Sequence, residues 1–186
     1  VALSVYRVKK LRRRLRQLEV GLGGERLVGQ HLMAYLPEGF RVLHDLPGDD
    51  DHSWNIDHVV IGPTGVFAIE TKTRTRPHGR RAEVTVRNGR LLFDGHAPDR
   101  DPVDQAKACA RGLAEMIHRD TGHRVRVQPV VVIPSWWVTV TEVDGVWIAN
   151  HKQLPGRLSR GPQVLRREDG FLYYNRLAER LRRAAR

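Results

Sequence analysis

The chain has 186 residues, with 32 Lys and Arg against 21 Asp and Glu, a formal charge of +11. That length suits one domain with short extensions, and 40% hydrophobic with 28% charged residues excludes a disordered chain. The longest aliphatic run, Val130-Val131-Val132-Ile133, is far too short to span a membrane, and a single cysteine, Cys109, excludes an internal disulfide or a cysteine-rich zinc site.

Lys10 to Leu18 reads as a strongly basic helix that Gly21-Leu22-Gly23-Gly24 interrupts. A second helix is expected from Glu25 to Tyr35, stopping at Leu36-Pro37-Glu38-Gly39. Phe40 to Leu43 is a short strand, and polar Asp45 to Asn55, with Asp49-Asp50-Asp51, is a loop. Asn55 to Ile61 and Val66 to Thr73 are strands joined through Gly62-Pro63-Thr64-Gly65, a hairpin signal. Arg74 to Arg81 is a basic loop. Glu83 to Arg87 and Arg90 to Phe93 flank Asn88-Gly89, the preferred chemistry of a type I′ turn. Asp101-Pro102 supplies an N-cap and a first-turn proline for a helix with Val103, Ala106, Ala110, Leu113 and Ile117 on one face. Val127 to Ile133 is a β-branched run suited to a strand buried on both faces, and Val146 to Ala149 is another strand. A short helix within Asn150 to Leu158 and a closing basic helix from Phe171 to Arg183 complete the chain. This order gives an α/β fold with a mixed sheet flanked by helices.

The positive charge belongs to the ends. Residues 1–20 carry +6 and residues 157–186 carry +6, which leaves −1 for the body, 21–156. The chain is therefore read as a basic N-terminal helix, a body and a basic C-terminal helical extension. In that extension Phe171, Leu172, Tyr173 and Leu177 are the residues available to pack on the body. Arg outnumbers Lys 27 to 5, which suits phosphate partners, although an arginine-rich coding bias with solvated helix faces gives the same count. No apolar segment follows the N-terminal basic residues, so no secretory leader is expected. With the lone cysteine, this points to a cytoplasmic location and no membrane partner.

The hairpin carries the chemistry. If Gly62 pairs with Gly65, Asp57 sits across from Glu70 with Cβ atoms roughly 4.5–5.5 Å apart, and alternation adds Lys72 to the same face. Facing carboxylates raise one another's pKa unless a cation lies between them. Oxygen ligands suit Mg²⁺ or Mn²⁺ better than zinc, and a neighbouring lysine can orient water or stabilise a developing anion. The same residues also suit a cross-strand ion-pair cluster at a solvated sheet end. Both readings stand on spacing alone. His58 alternates to the opposite face, which favours packing over ligation. No Gly-x-Ser-x-Gly, Walker loop or dinucleotide glycine pattern occurs.

Four elements in order, Gly21-Leu22-Gly23-Gly24-Glu25, Ile56-Asp57-His58-Val59-Val60-Ile61, Ile69-Glu70-Thr71-Lys72 and Asp101-Pro102-Val103-Asp104-Gln105-Ala106, resemble the nuclease-related domain (NERD) of the PD-(D/E)XK nuclease superfamily. The similarity runs from about Gly21 to Ala149, so 21–156 becomes the expected nuclease domain. Asp101 stands where the family often has Asn, and either residue caps a helix. The resemblance implies a restriction-endonuclease-like sheet core and hydrolysis of phosphodiester bonds in nucleic acid, with DNA the expected form and Mg²⁺ or Mn²⁺ as cofactor. It implies that Asp57, Glu70 and the Thr71 backbone carbonyl hold the metal. By the same resemblance Lys72 is the catalytic lysine, and Glu25 and Gln105 match the helix glutamate and glutamine of the family. The alternative is a nucleic-acid-binding module with the fold and little catalysis. Arg74, Arg76, Arg80 and Arg81, which follow Lys72, and Arg12, Arg13 and Arg14 on the N-terminal helix are the expected nucleic-acid contacts. The four after Lys72 also suit a solvated loop.

Overall fold

The computed structural model describes residues 2–48, 54–75 and 82–185, without the side chains of residues 2–10, 12–14, 16 and 17. Helix α1 runs unbroken from Ala2 to Tyr35. The break expected at Gly21–Gly24 does not occur. Gly21 and Gly23 face open space, where a helical glycine costs only about 1 kcal/mol relative to alanine. Gly24 is a close approach: a Cβ there would stand 1.9 Å from Thr73 Oγ1. The glycine thus lets helix and sheet meet rather than ending the helix.

After the turn at Gly39, strand β1 covers Arg41–Pro47, longer than the sequence suggests, and absorbs the start of the expected loop. Asp49 to Asp51 fall outside the described residues. Strands β2 (Asn55–Gly62) and β3 (Gly65–Thr71) form the anticipated hairpin, with Gly62 opposite Gly65 and His58 opposite Ile69. Strand β4 (Glu83–Arg87) pairs with β5 (Arg90–Phe93). Between them Asn88 and Gly89 both have positive φ, 51° and 73°, as a type I′ turn requires. Helix α2 spans Pro102–Thr121, and Asp101 Oδ1 accepts the Val103 N–H at 2.9 Å. Strands β6 (Val127–Val132), β7 (Trp137–Val138), β8 (Glu142–Val143) and β9 (Val146–Ala149) follow, then α3 (Leu154–Ser159) and α4 (Arg167–Ala184). The two-residue strands β7 and β8 carry no periodic signal in the sequence.

The main sheet has the order β1-β2-β3-β6-β9-β8, with β3–β6 and β6–β9 parallel and the other pairs antiparallel. A smaller sheet, β5-β4-β7, combines the β4–β5 hairpin, which lies between β3 and α2, with β7, which follows β6. Alternation along the strands sends side chains to two layers. Val59, Ile61, Val66 and Ala68 pack with α2 and α4 through Leu113, Met116, Ile117, Tyr173 and Leu177. Val60, Phe67, Ile69, Val130 and Val132 pack with α1 and α3 through Val28, Leu32, Leu154 and Leu158. Strand β6 is buried on both faces as its β-branched run implies. In the C-terminal segment Tyr173 and Leu177 reach the core while Phe171 stays half exposed. Helix α4 is tied to α2 by a two-pronged ion pair: Arg180 Nε and Nη2 each lie 2.6 Å from an Asp120 carboxylate oxygen.

Candidate active site

The β2–β3 register, continued one residue past His58 and Ile69, sets Asp57 opposite Glu70 at the open end of the hairpin. There the ladder is completed by a side chain. Asp57 Oδ2 accepts the Thr71 N–H at 2.6 Å. One residue on, the Lys72 N–H donates to Val132 O at 2.8 Å, so the chain leaving β3 stays attached to β6. Lys72 shares the α2 face of the sheet with Glu70, and its Nζ donates to Gln105 Oε1 on the first turns of α2 at 3.4 Å.

Electrostatics draws in residues from the opposite layer. Burial, then the charge of Glu70, pushes the Asp57 carboxyl up to about 7, against the lowering effect of the Thr71 N–H; Glu25 and Asp45 add smaller increments. Glu70 is raised mainly by burial, with Lys72 opposing and Glu25 adding. Glu25 is itself raised by burial and by Asp45. Glu25 lies on the α1 stripe that continues to buried Val28 and Leu32, and so reaches the sheet end from one side while Gln105 reaches it from the other. Asp45 is the member that sequence reasoning missed. It lies in what reads as a polar loop, and its φ of 52° is a conformation that Asp tolerates better than most residues.

The remaining candidates separate. His58 is buried beneath α1 with its Nδ1 2.8 Å from His44 Nδ1, so it packs, as its strand parity indicates. Cys109 is a buried thiol pushed up to about 12 by burial and by Glu70 and Asp57, which leaves it neutral and non-nucleophilic. Arg74 stacks its guanidinium 5.0 Å from the Phe93 ring centre, and its carbonyl accepts the Trp136 indole N–H at 3.1 Å. Trp136 is buried and Trp137 is 49% exposed, so the tryptophan pair splits between core and surface. Arg76, Arg80, Arg81 and the side chains of Arg12, Arg13 and Arg14 lie outside the described residues.

Among the described residues no three His, Cys, Asp or Glu side chains converge as a metal cluster. The donor set is smaller and harder: two carboxylates held face to face in a half-buried corner, each with its pKa raised first by burial. Such a pair takes up either a proton or a cation, and its all-oxygen chemistry fits a hard divalent ion completed by water. Among the described residues no helix is long and apolar enough to cross a membrane.

A mixed sheet flanked by helices, with an acidic hairpin end and a lysine beside it, is consistent with a nuclease-like fold. The chain belongs to the nuclease-related domain family, whose model matches residues 20–134. It is also 41% identical over 54 residues to an uncharacterized protein of Bacillus anthracis, a match covering 28% of this chain and 26% of that protein. No solved structure matches.

Proposed function

We propose that the protein is a metal-dependent nuclease that hydrolyses phosphodiester bonds of nucleic acid, with DNA as the expected substrate. The observation that carries this reading is the half-buried, facing pair Asp57 and Glu70 with Lys72 tethered beside it by Gln105. Asp57, Glu70 and the Thr71 carbonyl would hold Mg²⁺ or Mn²⁺, which when bound polarises a phosphate oxygen and acidifies water. Lys72 Nζ has three donors. One is turned to Gln105, and the others would orient the attacking water and a non-bridging phosphate oxygen. Water adds to phosphorus in line with the departing ester oxygen, which leaves as the alcohol after taking up a proton. Glu25 closes the α1 side of the cluster, so the phosphate approaches from the open sheet end. Arg74 and the basic segment after it supply phosphate contacts, as do Arg12, Arg13 and Arg14.

The test pairs a cleavage panel with a stability measurement. Single- and double-stranded DNA and RNA are incubated with and without Mg²⁺ and Mn²⁺, and the melting temperature is followed against metal concentration. Metal-dependent cleavage, with a rise in melting temperature that Asp57→Asn or Glu70→Gln abolishes, supports the reading. Nucleic-acid binding without metal uptake or cleavage would leave only a binding module.

A further inference from the structure

The β2–β3 hairpin has a second end. Around its turn, the start of α4, the segment after α1 and Gly62-Pro63 enclose a cleft of about 680 Å³. Gly62 lies five residues along β2 from Asp57, about 17 Å at the rise of a strand, so the cleft is separate from the acid pair. Its floor is apolar. Ile61, Leu165 and Gly170 are buried there, and the Phe40 ring lies so close on Gly62 that a Cβ would stand 2.2 Å from it. The walls are tied together. Pro63 O accepts the N–H groups of Val164 and Leu165 at 2.9 and 3.1 Å, which fixes the approach to α4 against the hairpin turn.

The rim is cationic. Arg41, Arg166 and Arg167 line it against a single acid, Glu38, a balance of 3 − 1 = +2. Among the described residues, none of these three guanidinium groups has an ion pair or a hydrogen bond. Arg41 is held through its faces: its guanidinium carbon stands 5.1 Å from the Phe171 ring centre and 5.3 Å from that of Tyr174. Such stacking leaves the in-plane N–H donors open. Phe171 itself is 50% exposed at the same wall. Forked donors match phosphate oxygens, and the rings of Phe40 and Phe171 offer a flat group a seat. The volume is that of a small-molecule site. We propose that this cleft binds a nucleotide, its phosphate on Arg41, Arg166 and Arg167 and its base on the apolar floor, either as a free mononucleotide or as the 5′-terminal nucleotide of a strand. The inference stands apart from the nuclease reading, because it uses no residue of the acid pair.

The test is calorimetry of the 186-residue chain in chelator, with adenosine 5′-monophosphate, adenosine and inorganic phosphate as probes. The monophosphate should bind once per chain and more tightly than either fragment. Arg166→Gln/Arg167→Gln and, separately, Arg41→Gln should weaken it about tenfold or more, the usual effect of removing charge-assisted hydrogen bonds. All three positions are exposed, so both variants should keep the wild-type melting temperature. Asp57→Asn should bind the nucleotide as the wild type does. A single-stranded oligonucleotide with and without a 5′-phosphate separates the two sources: an arginine-dependent gain from the phosphate assigns the cleft to strand ends, and its absence beside monophosphate binding assigns it to the free nucleotide. No binding of the monophosphate at millimolar concentration overturns the proposal. So does binding no tighter than that of inorganic phosphate, binding indifferent to all three arginines, or binding lost in Asp57→Asn.

Discussion

Asp57 and His58 are neighbours in sequence, face opposite layers, and resist ionisation with opposite consequences for stability. The Asp57 carboxyl stands near 7, above its unfolded value of 3.8, because of burial and Glu70. The folded state therefore keeps a proton the unfolded chain has lost, and this contribution to stability fades as pH rises from about 4 to 7. His58, pushed down to about 4 by burial and then by His44, behaves inversely: its contribution is present above 6.5 and is lost as pH falls towards 4. The two slopes oppose each other over the same interval. Asp57→Asn should thus stabilise the metal-free protein by on the order of a few kcal/mol at pH 8 and by almost nothing at pH 4, leaving the histidine's acid-side loss uncovered. Denaturant melts across pH in chelator would check this. Lys72→Ala belongs to the same scale. It should lower cleavage by roughly 10²-fold or more while preserving the metal-induced rise in melting temperature, since the lysine acts on developing charge. Because Lys72 also lowers the Glu70 pKa, the pH needed for metal uptake should shift upward in the variant. Full activity in a preparation free of contaminating nuclease would remove the lysine from the chemistry.

At the level of elements, two glycines one residue apart in α1 make a controlled pair. Gly23→Ala meets no atom within 4 Å and should stabilise the protein by up to about 1 kcal/mol through helix propensity. Gly24→Ala should do the reverse, by about 1–3 kcal/mol, because the added methyl meets the Thr73 side chain, and cleavage should fall as Glu25 is displaced with the helix. Thermal melts of the two variants decide it; equal effects would show that α1 does not seat against Thr73. The pair also shows why the sequence is only partly legible. Gly62-Pro63-Thr64-Gly65, Asn88-Gly89 and Asp101-Pro102 carry local rules, so the hairpins and the α2 start can be read, and with them the Asp57–Glu70 register. Gly24 answers a demand from Thr73, 49 positions away, which no local rule contains. The parallel β3–β6 and β6–β9 pairings and the two-residue strands β7 and β8 are likewise long-range arrangements. Asp45 escapes a sequence reading because its link to the cluster depends on how β1 ends, not on spacing.

For the molecule as a whole, charge and site are separated: each end carries +6 around a nearly neutral body. Replacing Arg12, Arg13 and Arg14 by Gln should flatten the salt dependence of duplex binding by about 0.9 in log–log slope for each phosphate no longer neutralised, equally for all sequences. Metal-induced stabilisation should be untouched, since Asp57 and Glu70 lie on the hairpin; affinity across a salt series is the measurement, and an unchanged slope would discard the arm as a phosphate-binding element. The C-terminal helix offers no such clean test, because Tyr173 and Leu177 are in the core and Arg180 holds Asp120. Lys72, finally, stands between two anchors, its own N–H on Val132 and the Arg74 carbonyl under the Trp136 indole. The main chain is pinned on both flanks before the run from Arg76 to Arg81 begins. The backbone that carries the lysine is thus held by β6 and by Trp136 in addition to the hairpin's own ladder.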